Sequence, residues 1–279
     1  MSIPPSKSKI HIRPYHPSDF DVVKQLFYDG MAYGPLTPAT ESTHAVYKHP
    51  YSLLLYLTGA LSTLSPFFFS SLSRVLAPLL GSGIVVAFLL WVPRQARKMM
   101  VAYCDQCMKE DMKDIVSHYG LKPKPIKHES GGGETRYKYE PTGKACFWVA
   151  EHQGQVVGCI GLGTSHSPTL RAPTPTHPHP HPHTDNNDKS HPSPSVGELR
   201  RLSISSHHRN LGIASLLIKT LVSFARERGL STLRLGTSSF QPAAVRLYRK
   251  HGWEVVESKP YKVDEIPVTF EMLTMGYTL

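Results

Sequence analysis

The sequence predicts an α+β domain interrupted by an apolar, membrane-directed segment, and three observations carry that prediction. Strand-like runs alternate with amphipathic helical runs from Lys9 to the C-terminus. The stretches 51–73 and 75–93 hold no charged side chain and are separated by Arg74 alone. Late in the chain, SISSHHRNLGIASLL passes from a strand through a short basic turn into a helix.

In chain order, KIHIRPY (9–15) alternates apolar and polar residues like a strand, and Ser18 is placed to cap a helix over DFDVVKQLFYDGM. The two apolar stretches follow. From Arg94 to Tyr119, Met99, Met100, Tyr103, Cys107, Ile115 and Tyr119 are spaced for one helical stripe. Residues 122–144, with KPKPIK and GGGE, read as a polar loop. CFWVAEHQGQVVGCIGLG (146–163) reads as a hairpin turning near Gln153 and Gly154. Residues 165–195, centred on HPHPHPH, form a His/Pro-rich low-complexity insertion that cannot bury a core. In a threefold polyproline helix, His at every second position points in rotating directions, so no metal site is expected there.

Order then resumes. ELRRLSI (198–204) is predicted as a strand and residues 212–229 as a helix, its stripe being Ile213, Leu216, Leu217, Leu221, Phe224 and Ala225. STLRLGT is the next strand, and QPAAVRLYRKHG is a helix with Pro242 at its first position and Gly252 at its end. WEVVES and VTFEMLTM close the domain as strands.

Composition limits the function classes. The 31 Lys and Arg against 21 Asp and Glu give a net charge of +10, which suits an anionic cofactor or an anionic membrane surface. No basic run alternates with aromatics and no zinc-finger spacing occurs, so nucleic acid is not an expected partner. Four cysteines in 279 residues are too few for a secreted disulfide scaffold. Cys104 and Cys107 stand inside a helical pattern without a second pair, which reads as packing rather than zinc. The first residues lack the apolar core of a signal peptide, so membrane targeting is assigned to the internal apolar stretch.

The chemistry points to the basic turn. Arg209, Asn210, Leu211, Gly212, Ile213 and Ala214 place successive backbone N–H groups at a helix N-terminus, where unpaired donors and the helix dipole favour a phosphate. The RxxGxA turn, the strand before it and QPAAVRLYRKHGW after it resemble the GNAT superfamily of acetyl-CoA-dependent N-acetyltransferases. CFWVAE, the DMKDI of 111–115, and Gln241 with Ala244, Leu247, Tyr248 and Gly252 narrow the resemblance to its camello-like, membrane-associated branch.

The resemblance covers residues 9–279 apart from 122–144 and 165–195, and it implies a mixed, mostly antiparallel sheet flanked by helices. It also implies acetyl-CoA as co-substrate without a metal. The backbone of Leu202, Ser203 and Ile204 would bond the pantetheine arm, the 209–214 turn would hold the pyrophosphate, and Gln241 and Ala244 would line the cofactor. Glu198 is the expected general base, directly or through water, and Tyr248 the acid that protonates the departing thiolate. No role is assigned to His207 or His208. The acceptor is a primary amine: an amino acid, a cysteine conjugate or a protein lysine. A CoA-binding membrane adaptor without catalysis is the competing reading, and oligomeric state is not read.

Residues 51–93 must return to the side they leave, because the first strand and the rest of the domain are expected to share one sheet. A two-pass hairpin, a re-entrant loop and a surface-lying element all satisfy this. Lys48 before the stretch and Arg94, Arg97 and Lys98 after it place both flanks in the cytosol, while Pro66, Pro78, Gly81 and Gly83 favour bending. The resemblance points to the endoplasmic reticulum.

Overall fold

The computed structural model describes residues 10–64, 73–125, 137–164, 196–263 and 266–279. The His/Pro-rich stretch lies outside them. A seven-stranded sheet organises the domain: β1 (His11–Pro14), β4 (Cys146–His152), β5 (Gln155–Thr164), β6 (Val196–Ile204), β7 (Thr232–Ser238), β8 (Glu254–Val263) and β9 (Ile266–Thr278). Their spatial order is β1-β4-β5-β6-β7-β9-β8, and every pair is antiparallel except β6 with β7. The expected mixed, mostly antiparallel sheet is therefore present.

The β4–β5 hairpin turns where the sequence places it, with Gln153 and Gly154 both at positive φ (53° and 77°) as a tight two-residue turn requires. β1, which precedes the apolar stretch, pairs with β4, which follows it: His11 lies opposite Glu151 and Pro14 opposite Trp148. Both ends of the intervening chain are thereby fixed to the same sheet.

Helix α6 (Ile213–Glu227) buries Ile213, Leu217, Ile218, Leu221 and Ala225 on the sheet. Leu216, predicted in that stripe, is 40 % exposed, because it falls on the opposite flank from Ile218. Phe224 is half-buried and meets Trp148 edge-on at 5.1 Å between ring centres. Helix α7 (Pro242–Lys250) follows β7.

Three local readings are corrected. The first helix is α1 (Phe20–Tyr28), and the chain enters it through a short 3-10 turn capped by His16 with Asp19, not by Ser18. The 122–144 stretch is not wholly a loop: β2 (Leu121–Pro125) and β3 (Tyr137–Pro141) form a separate antiparallel ribbon. Its three prolines, Pro123, Pro125 and Pro141, all fall in alternate pairs, where the N–H points away from the partner and proline loses nothing. Finally, the 94–119 stripe is not one helix, nor does a helix begin at Arg94.

Instead α4 runs without a break from Ser73 to Lys109, and Ile115–His118 (α5) is a separate short turn of helix. Pro93 inside α4 cannot donate to the carbonyl of Leu89. Tyr47 on α2 (Pro38–Tyr47) supplies the missing donor, its hydroxyl bonding that carbonyl at 2.6 Å. Tertiary contact thus carries the helix through a residue that reads as a stop.

Helix α3 (Pro50–Thr63) lies against α4. A Cβ on Gly59 would come within 2.6 Å of Val85, and one on Gly81 within 1.9 Å of the Ser62 hydroxyl, so small residues set the closeness of this crossing. The outward faces are uncovered: Leu53, Leu54, Leu57, Leu61, Leu79, Leu80, Ile84, Val86, Leu90 and Trp91 are all exposed. Burial begins abruptly at Val92 and Ala96, where α4 meets Val46 and the main domain.

Candidate active site

The site is organised by a fork in the sheet. β6 and β7 are parallel and paired only at Val196–Glu198 opposite Thr232–Arg234. Beyond that, β7 stays with β9 over its whole length, while β6 stays with β5 as far as Ile204. The edge of β6 that faces β7 therefore runs free of strand pairing from Leu199 to Ile204. Leu202, Ser203 and Ile204, the residues expected to bond a pantetheine arm, lie on this edge.

A bulge in β6 accompanies the divergence. Gly161 of β5 pairs with Arg200 and Cys159 with Ser203, so two residues of β6 stand where β5 has one. Arg201 in the bulge has φ = 55°, a conformation that costs a non-glycine residue about 1–3 kcal/mol. Its side chain is locked on all sides. The guanidinium makes two bonds to the Asp111 carboxylate, one of them at 3.0 Å, meets Cys107 Sγ at 2.9 Å and the Tyr103 hydroxyl at 3.3 Å, and lies over the Phe27 ring. Asp111 is 1 % exposed and also accepts from the Tyr119 hydroxyl at 2.8 Å. Burial pushes its carboxyl up, but the bonds and charge of Arg201 outweigh this and hold it below the usual 3.8.

Glu198 stands at the last paired position of the fork. It is 7 % exposed and pairs with Arg200, two residues along the same strand. The Nε of Arg200 is buried without a hydrogen-bond partner among the described residues. The candidate base is therefore held in place by a fixed cation rather than free at a strand end.

The basic turn follows β6. Asn210 and Gly212 have positive φ (66° and 79°), and Gly212 caps α6. A Cβ at Gly212 would meet nothing within 4 Å, so glycine serves the left-handed backbone there and leaves open space above the first helical N–H groups. Ile213 points into the core, Leu211 is 50 % exposed, and Ala214 is half-buried, so the turn offers its backbone rather than these side chains. Arg209 is engaged elsewhere, donating to the carbonyl of Pro35 at 2.7 Å.

α7 closes the site from the β7 side. Gln241 precedes its first turn, accepts from Thr237 at 3.0 Å and donates to Met31 Sδ. Ala244 is half-buried against the core. Tyr248 is 6 % exposed, its ring 6.0 Å from that of Trp253. Burial alone raises its phenol above the usual 10. The turn after α1 (Asp29–Tyr33) reaches both arms of the fork, since Gly30 lies beside Ser203 and Met31 touches Gln241.

The sequence reading missed Arg200, Arg201 and the Asp111–Tyr119–Tyr103 cluster. Its signal was the pair of consecutive arginines in ELRRLSI, since neighbours on a regular strand point to opposite faces and two buried cations need two partners. Cys104 and Cys107 pack beside Phe27, and burial pushes the Cys104 thiol up to about 12.

Residues 110–253 match the acetyltransferase (GNAT) family. This chain belongs to that family, in its camello-like branch. Human N-acetyltransferase 8B is 32 % identical over 244 residues, covering 88 % of this chain and 84 % of the relative. Human N-acetyltransferase 8 is 31 % identical over the same shares, and zebrafish (Danio rerio) N-acetylaspartate synthetase is 30 % identical over 60 % of this chain and 43 % of its own length. Among solved structures, an N-acetyltransferase from Staphylococcus aureus aligns with 97 % of this chain and 99 % of its own at 13 % identity, with a TM-score of 0.42. The chain is an acetyl-CoA-dependent N-acetyltransferase of the GNAT type.

Proposed function

We propose that this acetyltransferase works from a membrane, passing acetyl directly from acetyl-CoA to a primary amine in a ternary complex. The fork between β6 and β7 carries the reading. Its free β6 edge offers backbone groups to the pantetheine arm at Leu202, Ser203 and Ile204, and it leads to the helix N-terminus at 209–214, whose N–H groups suit a pyrophosphate. Gln241 and Ala244 line the cofactor on the opposite arm.

Glu198 takes the proton of the ammonium, directly or through a water, and the freed amine attacks the thioester carbonyl. The C–N bond forms and the C–S bond breaks; Tyr248 gives its proton to the departing thiolate, and the second proton lost by the acylated nitrogen restores the phenol. A phenol is protonated at neutral pH and so carries the proton that the role of acid requires. Positioning of the two substrates supplies much of the rate. The relatives named N-acetylaspartate synthetase make an amino acid the first acceptor to test, followed by cysteine conjugates and protein lysines.

The membrane reading rests on the exposed apolar faces of α3 and α4. Residues 75–93 rise about 28 Å, close to the ~30 Å hydrocarbon core, whereas the 14 residues of α3 rise about 21 Å. Because β1 and β4 pair, the α3–α4 hairpin leaves and re-enters the domain on one side of the bilayer. We place that side in the cytosol and the membrane in the endoplasmic reticulum.

Calorimetry with CoA and a turnover assay against amino acids, cysteine conjugates and lysine peptides test the chemistry in detergent. Absence of CoA binding would sink the assignment of the fork, and binding without turnover on any amine would favour a non-catalytic adaptor. Protease protection in sealed microsomes tests the topology: the catalytic domain should be digested from outside, and complete shielding counts against it.

A further inference from the structure

We propose that the neck between the hairpin and the catalytic domain is a binding surface for anionic phospholipid headgroups. This inference rests on the membrane reading and specifies which leaflet chemistry the neck fits. Between Glu41 and Asp105 every charged residue is a cation: Lys48, Arg74, Arg94, Arg97 and Lys98. Four of these five gather at one level of the structure.

Contacts between α2 and α4 fix that level. Val46 packs against Val92, and the Tyr47 hydroxyl bonds the Leu89 carbonyl, so Lys48, next along α2, stands beside the point where α4 passes from exposed to buried. Arg94 lies on α4 just past that point and turns its guanidinium back to the carbonyl of Leu90, toward the apolar side. Arg97 and Lys98 follow within one turn; Arg97 stacks over Tyr33 at 5.7 Å. Lys48, Arg94, Arg97 and Lys98 are all exposed. Trp91 is 46 % exposed at the same level, where an amphipathic indole favours the headgroup boundary.

The arrangement is complementary to phosphate-rich, anionic headgroups. A cation held near an anionic membrane surface contributes enough to enrich the opposing lipid by roughly fivefold. No carboxylate from the intervening sequence offsets these charges, and none of the four at the neck, Lys48, Arg94, Arg97 or Lys98, makes an ion pair among the described residues.

The full chain, reconstituted in phosphatidylcholine vesicles with a minor share of phosphatidylserine, tests this. One lipid or the other carries bromines near the headgroup, and tryptophan quenching is read at matched mole fraction. Trp148 and Trp253 are 5 % and 1 % exposed in the domain core, so contact quenching reports Trp91. Brominated phosphatidylserine should quench as though enriched about fivefold, with high salt abolishing the difference. The variant carrying Lys48→Gln, Arg94→Gln and Lys98→Gln should show parity between the lipids. Parity in the unaltered protein, or a preference that survives high salt, overturns the proposal and leaves the hairpin in lipid. Quenching by neither lipid removes Trp91 from the membrane and overturns the membrane reading as well.

Discussion

Pro93 in α4 and the β6–β7 fork both deny backbone groups their regular partner, and the two are resolved in opposite ways. At Pro93 the helix carbonyl of Leu89 loses its donor, and the Tyr47 hydroxyl fills the gap. At the β6–β7 fork the strand edge from Leu199 to Ile204 loses its neighbour, and no strand fills it. The first gap lies where the chain must remain one rigid rod between apolar hairpin and domain. The second lies on the edge proposed to bond the amides of the pantetheine arm. One unmet hydrogen bond is closed where the helix must continue, the other is left open at the edge proposed to bind the cofactor, and in both cases a side chain from another element maintains the arrangement.

The largest effect should come from the anchor of the fork. Asp111→Ala leaves the buried Arg201 guanidinium without its carboxylate and releases the positive-φ bulge, costing about 3–5 kcal/mol in unfolding free energy. Thermal unfolding in detergent checks it, and an unchanged midpoint would mean that the bulge needs no anchor. Asp111 is held below its usual 3.8, so its stabilisation is complete above that pH and fades as pH falls through the lower folded value. The acid limb of stability should flatten in the variant.

Next in size is the proposed acid. Tyr248→Phe should reduce kcat by roughly a hundredfold or more while the acetyl-CoA KM stays within a fewfold, since only the proton donor is removed. Equal change in both constants would move Tyr248 from chemistry to cofactor binding.

Gly212→Val tests the open end of the fork. The left-handed φ and a bulky group over the helix N-terminus should weaken acetyl-CoA binding by about tenfold, with kcat retained. Unchanged affinity by calorimetry would place the pyrophosphate elsewhere.

The smallest expected effect belongs to the closed gap. Tyr47→Phe should cost about 1 kcal/mol by leaving the Leu89 carbonyl unpaired. In a Pro93→Ala background the helix regains its own donor, so the same change should cost much less. An equal cost in both backgrounds would show that the hydroxyl does not substitute for the lost helix bond.

Much of this architecture is legible in the chain. The β4–β5 hairpin is announced by Gln153-Gly154 between β-rich runs, and the start of α6 by a glycine between a basic turn and an apolar stripe. Such signals are local, because a φ angle or a periodic stripe is set by neighbouring residues. α4 defeats the same reasoning: Pro93 removes a bond that only a tyrosine far away in sequence can replace. The ribbon over 121–141 fails for a related reason, since prolines are tolerated there only through a register that depends on the partner strand. Glu198 and Tyr248 stand out in the chain only as candidates for base and acid, and the Arg200 ion pair of one and the buried setting of the other are not legible there.

By itself, then, the sequence determined the periodicities, the turns, the uncharged stretches and the phosphate-suited helix start, each a property of residues close together along the backbone. The tertiary structure alone decided where β6 leaves β7, how Arg201 is held in a costly conformation, and how one helix passes from an exposed apolar hairpin into a packed core. Those outcomes depend on contacts such as Arg201 with Asp111 and Tyr47 with Leu89. Partners so distant in the chain meet only when the whole sheet and its helices close around them.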